Sequence, residues 1–156
     1  MSKRGLSLAL LLVLGISLLI LTGCFTKEPK TPEQFREIME DNGFVVSDLT
    51  DQYEEGLVKS VLVAMDVKND FQIEYFEQDS DADAIVSFNM NVSTMEDNKG
   101  QIYKTSDFRG QNYENLSMTT NGEYWVVSRI ENTVIFAHVS EEHKEVVESM
   151  LERLNY

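Results

Sequence analysis

Two dipeptides, Asn121-Gly122 and Glu131-Asn132, divide the last part of the chain into three apolar-rich runs, Tyr113 to Thr120, Glu123 to Ile130 and Thr133 to Val139. Strands joined by two residues run antiparallel, because a parallel neighbour needs a crossover of a dozen residues or more. The pattern therefore predicts an antiparallel sheet. Upstream, Phe44 to Thr50 reads as a short strand. Leu57 to Val67 is long and apolar on much of both faces, which suits a central strand. Phe71 to Glu77 alternates, with Phe71, Ile73 and Tyr75 on one side, and Asn69-Asp70 supplies a tight hairpin turn before it.

Helices separate these groups. Thr31-Pro32-Glu33-Gln34 is a helix start, with Thr at the N-cap, Pro at the first helical position and Gln placed to close a capping box. Phe35, Ile38 and Met39 form its buried stripe, and Asn42-Gly43 ends it. A second helix is predicted from Asp79 to about Glu96, with Ala82, Ile85, Val86, Phe88, Val92 and Met95 on one broad face. A third opens at Ser140 and buries Val147, Met150, Leu151 and Leu154. The predicted fold is α+β, in the order α-βββ-α-βββ-α. An antiparallel sheet of about six strands carries helices on one face, its other face free to meet solvent or a partner.

The chain holds one cysteine, Cys24, directly after its longest apolar run. MSKRG supplies two positive charges, and an uncharged segment of 18 residues follows from Gly5 to Thr22. That is the charge-then-apolar order of an export signal, at a length that reaches the lower bound for a spanning helix. Leu21-Thr22-Gly23-Cys24 resembles the lipobox of bacterial lipoproteins. The resemblance implies cleavage between Gly23 and Cys24 and a covalent diacylglyceryl lipid on the Cys24 sulfur. It divides the chain into a signal peptide (1–23), a lipidated tether (24–30) and one globular α+β domain (31–156). It also implies a cell-membrane location on the extracytoplasmic face, with the bilayer as partner through Cys24. In leader, size and element order the chain resembles the small uncharacterised cell-envelope lipoproteins of low-GC Gram-positive bacteria, which implies no activity.

With no second cysteine, no disulfide can form within the mature chain, and stability must come from a hydrophobic core. The 133 residues from Cys24 onward suffice for one such core. They carry 11 basic against 27 acidic residues, a net charge of −16. That charge argues against nucleic acid as a partner, since its phosphates require a basic face, and against the domain lying flat on anionic lipid. Phe25 to Lys30 reads as a tether with a reach of roughly 20 Å when extended.

Few residues are placed for catalysis. Asp79-Ser80-Asp81-Ala82-Asp83 has the alternating carboxylates that begin an EF-hand loop, but Ala84 stands where Gly is needed and Met90 where a bidentate Glu is required. An acidic helix N-terminus capped by Asp79 or Ser80 accounts for the same letters, and no metal is expected. The two histidines, His138 and His143, read as packing or hydrogen-bonding residues. There is no GxSxG, HExxH or glycine-rich phosphate loop. No catalytic residue is assigned, and no cofactor beyond the lipid.

Lys99 to Tyr113 departs from the acidic background: Lys99, Lys104 and Arg109 recur every five residues beside Tyr103, Phe108 and Tyr113. Rings that supply contact area next to cations that supply specificity are the composition of a recognition surface. The plainer reading is a β-hairpin or long connection whose aromatics pack inward while the charges face water. The expectation is a non-catalytic binding or interaction module for an envelope protein or a small molecule. The alternatives are an envelope enzyme with a His/carboxylate site and an inhibitory or structural accessory protein. A cleft holding His138 or His143 beside a carboxylate would favour the enzyme.

Overall fold

The computed structural model describes residues 26–54 and 56–156. The lipobox-like segment Leu21 to Cys24, with the expected cleavage and lipidation positions Gly23 and Cys24, lies outside the described residues, as does the apolar run before it. Helix α1 (Pro32–Asp41) opens on the expected box: Thr31 accepts from the Gln34 amide at 3.3 Å, and Gln34 accepts from the Thr31 amide at 3.0 Å. It ends at Asn42, followed by Gly43 at φ +87°, a conformation that favours glycine. Then come β1 (Val45–Asp48), β2 (Ser60–Asp66), β3 (Phe71–Glu77), α2 (Asp81–Asp97), β4 (Tyr103–Arg109), β5 (Tyr113–Thr120), β6 (Glu123–Ile130), β7 (Thr133–Ser140) and α3 (Lys144–Leu154).

All seven strands form one antiparallel sheet in the order β1-β2-β3-β7-β6-β5-β4. Two meanders, of three and four strands, meet where β3 pairs with β7, Tyr75 standing opposite Ile135. The α+β class is as read from the sequence, and several details differ. Tyr103 to Arg109 is a seventh strand, in the segment that the six-strand order leaves out and that the sequence offers as either a β-hairpin or a long connection. The central place belongs to β7, while β2 is second from an edge. The β2–β3 link is a four-residue loop over 67–70, organised by the Asp66 carboxylate, which accepts from the Lys68 and Asn69 amides.

The largest correction concerns the layers, because helices cover both faces of the sheet. On one, Phe35 and Met39 of α1 and Val147, Met150, Leu151 and Leu154 of α3 pack on Leu62, Ile73, Tyr75, Val126, Ile130 and Ile135. On the other, Ala84, Phe88 and Met95 of α2 pack on Met118, Trp125, Val127 and Val134. The buried stripe of α2 is thus narrower than expected, and Ala82, Ile85 and Val86 are exposed. Connectivity explains the placement. α2 must carry the chain from β3, inside the sheet, to β4 at the far edge, and it crosses the face that α1 and α3 leave open. Among the described residues, no helix is long and apolar enough to cross a membrane.

Candidate functional site

Strand β4 is a sheet edge, and each of its seven residues is exposed. Its sequence YKTSDFR offers no apolar alternation to bury, so only the hydrogen bonds and side-chain pairs along β5 hold it in the sheet. The Gly110 amide donates to the Tyr113 carbonyl at 2.8 Å. With the two-residue period of a strand, the amides and carbonyls of Lys104, Ser106 and Phe108 turn toward β5, and those of Tyr103, Thr105, Asp107 and Arg109 turn outward. Tyr103 and Phe108 are 46% and 58% exposed. The Lys99 ammonium lies 4.4 Å from the Tyr103 ring centre and 2.5 Å from the Glu96 carboxylate. Arg109 approaches Asp107 at 3.4 Å and Glu114 at 3.9 Å. Lys104 makes no ion pair among the described residues.

Tyr113 departs from the expectation. It is 7% exposed and belongs to the core beneath α3. Phe108 stacks on it with ring centres 5.6 Å apart, and a Cβ at Gly110 would overlap its ring. Five of the six residues read as a partner surface lie at or near the β4 edge; Tyr113 supports that edge from inside.

The tether is also corrected, since residues 27–30 do not hang free. Asn112 holds Lys27 by a reciprocal pair, its Oδ1 accepting from the Lys27 amide at 3.0 Å and its Nδ2 donating to the Lys27 carbonyl at 2.8 Å. The Tyr75 hydroxyl donates to the Lys30 carbonyl at 2.7 Å. The Lys27 ammonium sits 4.9 Å from the Tyr113 ring centre, and burial lowers its pKa. Here a groove of about 390 Å³ runs between β5 and α3, lined by Phe108, Tyr113, Tyr124, Glu148 and Tyr156.

A larger concavity, of about 850 Å³, lies where β3, β6 and β7 reach the end of the sheet that α2 does not cover, and it holds both histidines. His138 lies flat on Trp125, ring centres 3.4 Å apart, with its Nε2 3.2 Å from a Glu123 carboxylate oxygen. His143 stacks on Phe71 at 4.9 Å with its Nε2 3.7 Å from Glu142. The sequence reading judged each histidine alone and missed the pairing with Glu123. The signal was present: a hairpin turning at Glu131-Asn132 sets Trp125 opposite His138 and Glu123 one diagonal away.

The Asp79 to Asp83 run caps α2. Ser80 accepts from the Asp83 amide at 3.2 Å and donates to the Asp83 carboxylate at 2.6 Å. Among the described residues, no three His, Asp or Glu side chains gather as a metal ion would need. No protein-family model, curated protein or solved structure matches the chain.

Proposed function

We propose that the chain is a lipid-anchored extracytoplasmic interaction module without catalytic activity, tethered through Cys24 and engaging a protein partner along the β4 edge. The observation that carries the reading is the edge itself: seven exposed residues, four of them with outward backbone groups, that include exposed aromatic rings and cations in an otherwise acidic domain. Main-chain groups supply affinity in strand addition, and side chains on alternate faces supply selectivity. The opposite edge, β1, has only four residues, and short edges are poor templates.

Two outcomes test it. Cys24→Ala should abolish metabolic lipid labelling and leave an unprocessed precursor at the membrane; normal labelling of that variant would end the lipoprotein assignment. Tyr103→Ala combined with Phe108→Ala should weaken partner capture in a pull-down from cross-linked cells and cost less than about 1 kcal/mol of stability, since both rings are substantially exposed. A fall in melting temperature of many degrees would instead mark the two rings as core.

A second reading rests on the 3.2 Å approach of His138 to Glu123 in the cleft, the arrangement of a general base with its orienting carboxylate. The envelope-enzyme alternative would use it. The expected result is that no chromogenic ester, phosphate or glycoside is turned over in a manner sensitive to His138→Gln. Turnover lost in that variant, with the fold intact, would transfer the assignment to the cleft.

A further inference from the structure

We infer that the partner strand for β4 is the β4 of a second copy, paired antiparallel about a two-fold axis at Ser106. The inference rests on the proposal that β4 is the recognition edge and names its occupant. The first support is backbone parity. Outward amides and carbonyls belong to Tyr103, Thr105, Asp107 and Arg109, all odd-numbered, so hydrogen-bonded pairs across a new seam must join odd residues to odd residues. An axis at Ser106 does this for the whole strand: Tyr103 faces Arg109 and Thr105 faces Asp107, each pair occurring twice, and Ser106 faces itself in a non-hydrogen-bonded position. Every outward group of β4 is then satisfied.

The second support is the side-chain match that this register produces. Lys104 comes opposite Phe108, and Arg109 opposite Tyr103, so each cation of the strand meets an aromatic ring. Asp107 comes opposite Thr105, a hydroxyl donor. No like charges stand directly opposite. Moving the register by two residues toward the C-terminus sets Asp107 against itself. Moving it the other way leaves Phe108 without a partner on the facing strand. β4 carries Lys104 and Arg109 against Asp107 alone, so it is a stretch where two copies of net charge −16 meet with a local positive balance. α2 lies over β6 and β7, which leaves β4 uncovered on that face.

The two-fold axis is perpendicular to the sheet, so the joined sheet has fourteen strands (twice the seven of one copy) and both copies turn the same face the same way. The two docked Lys27 segments emerge on that common face.

The test uses the full chain in detergent micelles. Ser106→Cys should form a disulfide-linked dimer under mild oxidation, because opposed Cα atoms at a non-hydrogen-bonded position lie about 4.5 Å apart, within disulfide range. Lys104→Cys should not, since its own counterpart lies four positions along the seam. The wild type reports any bridge through Cys24. Thr105→Pro provides the second arm. The Thr105 amide points outward, so proline there spares the chain's own sheet and blocks the seam. Sedimentation should show a dimer for the wild type and a monomer for Thr105→Pro, with equal circular dichroism and melting. A monomeric wild type with no Ser106→Cys dimer overturns self-pairing, as does a dimer that Ser106→Cys fails to trap. If, in addition, Thr105→Pro abolishes capture of a different protein, β4 remains the recognition edge and only its occupant was misassigned. If capture survives as well, both readings fall.

Discussion

Raising the pH from about 10 to about 12 should destabilise the protein by several kcal/mol, through buried tyrosines. Burial pushes the Tyr124 and Tyr156 hydroxyls up to about 12, with the Glu148 charge adding to the effect at Tyr124, and it raises Tyr75 further still. Each group binds its proton more tightly folded than unfolded, so its contribution is complete below about pH 10, the unfolded value. It is lost as the pH climbs through the folded value. A rise from about 10 to about 12 at Tyr124 and at Tyr156 corresponds to on the order of 3 kcal/mol apiece. Urea unfolding at stepped pH, read together with tyrosinate absorbance, measures this directly. Tyr156→Phe should shrink the alkaline loss, at the cost of its hydrogen bond with Thr133 at neutral pH. Tyrosines that ionise near pH 10 in a chain that stays folded would contradict the buried environment.

Phe35→Ala should cost about 3 to 5 kcal/mol. Phe35 is fully buried where α1 meets the sheet, and its ring stacks on Tyr75 at 5.0 Å. Truncation removes apolar contact on both sides and leaves a cavity that α1, fixed at its start by the Thr31 cap, cannot easily collapse to fill. A melting temperature lowered by roughly 10 to 20 °C is expected. Val86→Ala on α2 is the control. Val86 is 58% exposed, and its truncation should stay within about 0.5 kcal/mol. Equal losses for the two would mean that α2 turns a different face to the sheet.

Much of the fold was legible where one local signal decides the structure. The Thr31 box, the alternation of Phe71 to Glu77 and the Asn121-Gly122 turn, both of whose residues have positive φ, gave α1, β3 and the β5–β6 hairpin. For β4 the sequence could not choose between a hairpin and a long connection, because nothing in YKTSDFR buries; β5 supplies its hydrogen-bond partners, and strand pairing is a tertiary fact. The two-sided core could have been read. EYWVVSRI and TVIFAHVS are apolar on both faces, the pattern of strands covered on both sides, and taking them as one-sided placed the helices wrongly. On α2, periodicity alone could not choose between a stripe through Ile85 and Val86 and the one through Ala84, Phe88 and Met95 that packs. At the candidate site the aromatic and basic letters drew attention to the right segment. Only the register, however, separates exposed Phe108 from buried Tyr113.

The seam between β3 and β7 governs how the protein assembles. Glu74 to Glu77 pair with Thr133 to Phe136, so the two meanders join only when a loop of more than fifty residues closes. The entropy of that closure must be met before any contact across the seam rewards it, which makes it the natural slow step of folding. Until it happens, β3 is an open edge, and the face that will receive α3 is covered by α1 alone. A chain that emerges N-terminus first therefore carries an unfinished three-strand sheet until β7, its last strand, has been made. Its safeguards are Gln72, Glu74 and Glu77, which interrupt the apolar residues of β3 and make it a poor template for the wrong strand.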